Sequence, residues 1–151
     1  MSNHIVDDKL FNFILDNIKT LRNIEDLPEN ATPEQTEEYE KLINIISLFI
    51  DSTCQEIIIK TNRTKFPEDL KYLAIDIVND MYGQFLSDTN PDENNVIQSM
   101  SEDGRSVNFG ASSFSQTKMQ LLIQQKLNDN ETLIKRYRLL YKVVCPYEKQ
   151  N

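Results

Sequence analysis

Few residues in this chain of 151 have the chemistry of a catalyst or a metal ligand, and their spacing assembles neither. His4 is the single histidine. It stands so near the N-terminus that it is expected to fray, which leaves no imidazole general base for a serine or cysteine nucleophile. Cys54 lies within an expected helix and Cys145 near the C-terminus. Neither has the partners of a zinc site, so both are expected as free thiols. Asp76 and Asp80 are one helical turn apart, close enough to share a cation, but no second ligand cluster accompanies them. They read as part of a solvent-facing helix surface. No phosphate-binding glycine loop and no serine elbow occurs. The chain therefore reads as a non-enzyme with no catalytic, cofactor-binding or metal-binding site.

What remains is the chemistry of main-chain hydrogen bonding. Ser99 to Phe109 reads as one tight β-hairpin, because Asp103-Gly104 can take the positive φ of a two-residue type I′ turn. That loop fixes the register: Glu102 faces Arg105, Ser101 faces Ser106, and Met100 faces Val107. An isolated hairpin is marginal in water and needs a partner, either helices of its own chain or strands of another copy. Met100, Ser101, Glu102, Asp103, Gly104, Arg105, Ser106, Val107 and Phe109 are the candidate residues for a subunit contact or a channel lining.

The elements that must carry this ribbon are helical. Only three glycines, no tryptophan and long apolar-periodic segments argue against a sandwich or barrel. Phe11, Ile14, Leu15, Ile18 and Leu21 predict a first helix over about 7–23. Thr32, Pro33 and Gln35 form a start signal with a capping box. The long second helix that follows carries an apolar stripe through Tyr39, Leu42, Ile43, Ile46, Phe49, Ile50 and Ile57, widened by Ile45, Leu48, Ile58 and Ile59. A face so broad belongs to a central core helix. Phe66-Pro67-Glu68-Asp69 opens a third helix with buried positions Leu70, Leu73, Ala74, Ile77, Met81 and Phe85. Asp88 to Asp92 breaks it. Ala111 to Ser115 reads as a mobile serine-rich connection. Closing helices are expected over about 116–127 and 129–144, the last capped by Asn128 and stopped by Pro146. The fold class is thus mainly α, a bundle of about four to five helices with one inserted hairpin and an extended C-terminal arm. It is one domain, divided into a helical core (1–86), hairpin and loop (87–115), closing helices (116–144) and tail (145–151).

Charge is uneven. Residues 1–115 hold nine basic and twenty-one acidic side chains, a net of −12, and residues 116–151 hold seven and three, a net of +4. Lys135, Arg138 and Lys142 are expected on one helical face opposite Leu133, Tyr137, Leu140 and Val144. An acidic chain is disfavoured as a tight reader of nucleic acid. No basic, apolar leader opens the sequence, and no apolar run is expected to approach the length of a bilayer crossing. The chain is therefore expected in a reducing cytosol without a membrane partner. Asn30-Ala31-Thr32, Asn62-Arg63-Thr64 and Asn130-Glu131-Thr132 match the glycosylation pattern, which is idle without secretion.

The apolar helices, the Pro67-Glu68-Asp69-Leu70-Lys71 start of a helix ending near Met81-Tyr82, the Ser99 to Phe109 segment and the closing basic helix together resemble the bacteriophage head-tail connector family, over roughly residues 67–142. In many relatives Arg-Tyr-Asn-Arg and Gly-Glu-Gly segments precede the hairpin motif; here Met81-Tyr82-Gly83-Gln84-Phe85 and an asparagine-rich loop stand in their place. The resemblance implies a structural virion protein, a head-completion adaptor. It would form a homo-oligomeric ring, commonly of twelve copies, between the portal and a tail-side connector or tail-completion protein. Such a ring continues the channel for passing viral DNA without sequence-specific binding. It is assembled in the host cytoplasm and ends at the head-tail interface. The segment from Tyr137 onward, with Arg138, Tyr141, Lys142, Val144, Pro146 and Tyr147, looks like a portal-docking arm. The alternative from charge alone is an acidic cytosolic regulatory protein that masks a basic partner surface.

Overall fold

The computed structural model describes residues 4–88, 98–102, 105–109 and 114–140. It is mainly helical: α1 (Asp8–Leu21), α2 (Pro33–Lys60), a single 3-10 turn (Glu68–Leu70), α3 (Lys71–Asp88), α4 (Gln116–Asp129) and α5 (Glu131–Tyr137). Two strands, β1 (Gln98–Glu102) and β2 (Arg105–Phe109), lie between α3 and α4 in the chain.

Local chemistry explains where the helices start. Asp7 caps α1 by accepting the Leu10 N–H at 2.8 Å. At α2 the Thr32 hydroxyl accepts from Gln35 N at 3.1 Å while the Gln35 side chain accepts from Thr32 N at 3.0 Å, the reciprocal box read from sequence. Both helices end in a way the sequence reading missed. Asn23 (φ 54°) and Asn62 (φ 56°) take the left-handed conformation just past the last turn. The next N–H reaches back, Ile24 to Lys19 O at 2.8 Å and Arg63 to Ile58 O at 3.1 Å. These are Schellman closures with asparagine where glycine is commoner.

α2 is the axis of the molecule. Every residue from Ile45 to Cys54 is buried, so all faces of nearly three turns are covered, by α1, α3, α4 and β2. α2 is also long and apolar enough to cross a membrane by length and composition, which corrects the expectation that no run approaches that size. Most of that stretch is buried against the other helices, as in a soluble core helix. Phe11, Ile14 and Ile18 of α1 are buried, whereas Leu21, 57% exposed, falls outside the stripe assigned to it, as does Ile59 of α2 at 51%. The buried face of α3 includes Leu73, Ala74, Ile77, Met81 and Phe85, as its periodicity predicts.

His4 is not frayed. Its Nδ1 lies 3.2 Å from Asp51 Oδ2, and its ring stacks on Phe11 with centroids 3.4 Å apart. Ile5 N donates to Asp51 Oδ1 at 3.3 Å, so the segment before α1 closes over a buried carboxylate of α2.

The expected closing helix over 129–144 is corrected at both ends. Asn128 lies inside α4, and the break falls at Asn130, whose side-chain amide donates to Lys126 O at 2.8 Å beside the bond its own backbone N–H makes there at 3.2 Å. α5 then stops at Tyr137, and Arg138 is extended (φ −75°, ψ 127°). Lys135 and Arg138 therefore do not share a helical face; Lys142 lies outside the described residues.

Candidate functional site

The strands pair antiparallel, with Gln98 opposite Phe109, Ser99 opposite Asn108, Met100 opposite Val107, Ser101 opposite Ser106, and Glu102 opposite Arg105. They form a two-stranded sheet among the described residues, and β2 lies against α2. Asp103 and Gly104, the expected turn, lie outside the described residues.

Two feet hold this excursion to the helical body, one at the end of α3 and one at the start of α4. Phe114 is the more telling. It sits in the stretch expected to be a mobile linker, yet it is fully buried, with its ring centroid 5.4 Å from that of Phe49 and 5.7 Å from that of Phe85. Phe85 also meets Phe49 edge-on at 6.1 Å. Three aromatic rings from α2, α3 and the approach to α4 thus converge at the base of the ribbon, in the tilted and edge-to-face arrangements that suit ring quadrupoles. Ser115 then caps α4, its hydroxyl accepting from Lys118 N at 3.2 Å. Both residues correct the expectation of mobility; 111–113 lie outside the described residues.

The second tie is electrostatic. Asp88, the last residue of α3, pairs with Lys118 in the first turn of α4. Each charge is at the unfavourable pole of its own helix dipole, and the pair relieves both. Gln84 Nε2 donates to Asp88 Oδ1 at 2.9 Å, holding the carboxylate in place. About two turns further along α4, Lys126 pairs with Asp80. The hydrogen bond it donates to that carboxylate holds the ammonium above the usual lysine range, against desolvation that would lower it. Asp80 is therefore engaged in helix packing, and no group of three or more metal-capable side chains occurs among the described residues.

Beside the Asp80–Lys126 pair, Arg22 donates from Nε to Asn79 Oδ1 at 2.8 Å and from Nη2 to Asn79 O at 2.7 Å. Its guanidinium stands 5.6 Å from the Tyr82 ring centroid. Gly83 permits this approach, since a Cβ there would meet Arg22 Nη2 at 2.6 Å.

The second predicted region, the arm, begins at a junction of two helix C-termini. Tyr137 ends α5, and its carbonyl accepts from Arg63 Nε at 2.6 Å. Arg138 Nε donates to Lys60 O at 2.9 Å, Leu139 N donates to Thr61 O at 2.9 Å, and the Asn62 side-chain amide donates to Leu139 O at 3.1 Å. Each chain end supplies donors to the last carbonyls of the other, and two guanidinium groups sit where two negative dipole poles converge. This explains the early end of α5: orphan carbonyls of α2 capture Arg138 and Leu139, and that outweighs the helical periodicity of 138–144. Tyr141, Lys142, Val144, Pro146 and Tyr147 lie outside the described residues.

The structure thus fixes the bases of both predicted regions. The anchoring residues Phe114, Asp88, Lys118, Asn62 and Arg63 were not singled out from sequence. A lone phenylalanine amid serines and an asparagine just past a helix are the signals that point to Phe114 and Asn62. No protein-family model, curated protein or solved structure matches this chain.

Proposed function

We propose that this protein is a ring-forming adaptor of the phage head-tail connector type. In this reading the ribbon of residues 98–109 contacts the next copy, and the segment beyond Tyr137 docks on a portal. The observation that carries the reading is the two-stranded ribbon of 98–102 and 105–109, which lies against α2 through β2 and whose approaches are tied down at Asp88 and Phe114. A two-stranded sheet pairs one edge of each strand with the other, and a neighbouring copy can add to an outer edge by main-chain hydrogen bonding. Repeating such a head-to-tail contact closes a ring. Arg105 and Glu102 beside the tip are the candidates for contact with the channel. The protein does no chemistry in this role. Its acidic bulk would keep passing DNA from sticking, and its partners are portal, tail-side connector and sister copies.

The fixed junction at Tyr137–Leu139 suits an arm that must leave the body from one place. Mass photometry of purified protein with and without cognate portal tests the reading: added mass from a ring of copies on portal supports it, and an unchanged portal mass contradicts it. Truncation after Val144 keeps the junction and is expected to abolish docking in co-sedimentation while the helices stay folded.

The second reading, an acidic masking protein, draws on the first part of α2, where Glu34, Glu37, Glu38 and Glu40 are all exposed. It predicts a small stable complex with a basic protein in place of a ring.

A further inference from the structure

We propose that in the free chain the groove between α1 and the start of α3 seats the protein's own C-terminal segment, residues 141–147. This concerns the unassembled protein and stands apart from the adaptor reading.

The groove has a volume of about 660 Å³, within the range of sites that take a peptide or small molecule. Leu10, Phe13 and Phe66 supply its apolar lining, and all three remain half-buried rather than enclosed. Tyr72, 64% exposed, stands edge-on to Phe13 with centroids 5.9 Å apart. Lys71 Nζ lies 4.7 Å from the Phe13 centroid and 5.6 Å from that of Tyr72. A row of aromatic rings at the surface, flanked by charge, is the character of an occupied or partnered face rather than of bare surface.

Reach, composition and charge select the occupant. The C-terminal segment leaves the body beside Thr61 and Asn62, where Leu139 is hydrogen-bonded, and Leu140 is 89% exposed. From Asn62 to Phe66 is at most about 14 Å of chain, whereas residues 140–147 extend to about 24 Å, so the segment can span the interval. It reads Tyr-Lys-Val-Val-Cys-Pro-Tyr, two aromatic rings and two valines for an apolar floor, with one positive charge and no acid. Among the groove's lining residues Asp7, Asp16 and Glu68 outnumber Lys9 and Lys71 by one negative charge. Tethering the segment within reach gives it an effective concentration that a separate copy or partner matches only at about millimolar levels.

A nitroxide on Cys145 of the full chain tests this by paramagnetic relaxation. Cys54 is fully buried and its thiol is pushed up by burial, so it escapes labelling. With isotope and nitroxide on the same molecule, diluted in unlabelled protein, amide signals of Leu10, Phe13, Lys71 and Tyr72 are expected to weaken at least about threefold relative to the reduced nitroxide. With isotope and nitroxide on different molecules they are expected to be unchanged. Loss only in the second sample would assign the groove to another copy, and no loss in either would leave it for a different partner; both overturn the proposal. In the doubly substituted tail, Val143→Asp with Val144→Asp, the groove signals should recover. Persistent loss there would show that apolar seating is not what brings the segment near, and would also overturn it.

Discussion

Gly83 sits inside α3, where glycine is normally a liability, and Arg22 accounts for it. Replacing glycine by alanine within a helix stabilises by about 1 kcal/mol. In Gly83→Ala the new Cβ would stand 2.6 Å from Arg22 Nη2, so the guanidinium must move and its two hydrogen bonds to Asn79 are lost. Hydrogen bonds to a charged group are worth about 1.5–3 kcal/mol when buried. Arg22 is only half-buried, so about 1 kcal/mol each is the appropriate figure. The gain of about 1 and the loss of about 2 leave Gly83→Ala destabilised by about 1 kcal/mol. In an Arg22→Ala background the loss has already occurred, and the same substitution should stabilise by about 1 kcal/mol. The double-mutant cycle therefore predicts a coupling of about 2 kcal/mol with a change of sign, read by urea unfolding followed by circular dichroism. If Gly83→Ala shifts stability equally in both backgrounds, Arg22 does not constrain this position and the reasoning fails.

Phe114→Ala should cost about 3–5 kcal/mol, because it empties the junction of the three aromatic rings; a loss below about 1 kcal/mol in urea unfolding would show that the ribbon is not anchored there. Thr32→Ala removes one half of the capping box and should cost about 1 kcal/mol by the same assay, with no change if the box does not form. Thr53 is fully buried and its hydroxyl has no hydrogen-bond partner among the described residues, so Thr53→Val should stabilise by about 1 kcal/mol in thermal or urea unfolding; destabilisation would mean that the hydroxyl is satisfied. The Asp80 hydrogen bond raises Lys126, so this tie contributes stability below the ordinary lysine value and loses it as pH rises through the higher folded value. The stability gap between the native chain and Lys126→Met, no more than about 0.5 kcal/mol in this screened setting, should close above about pH 10.4, and a gap that widened there would contradict the assignment.

The sequence made legible what depends on local chemistry. Thr32, Pro33 and Gln35 announced the start of α2, and the spacing of Leu73, Ile77, Met81 and Phe85 announced the buried face of α3, because caps and 3.6-residue periodicity act within a few residues. What escaped it was decided across the fold. Nothing near Tyr137 stops a helix; the carbonyls of Lys60 and Thr61, more than seventy residues away, do so by taking donors from Arg138 and Leu139. His4 stands four residues into the sequence with no local signal of order, and the buried Asp51 on α2 together with the Phe11 ring explains its place. Phe114 was lost among serines because composition marks a linker by its polar majority, whereas packing depends on its one large apolar side chain. For the site, the feet at Asp88, Lys118 and Phe114 are contacts between separate elements, which no local pattern in the sequence announces.

The central claim is that the ribbon completes its hydrogen bonding with sister copies around a closed circle. Cryo-electron microscopy of the protein bound to portal tests it most directly. The account predicts a ring in which residues 98–109 of each copy lie against the next. Copies that bind singly, or a ring in which each ribbon is enclosed wholly within its own protomer, would contradict it.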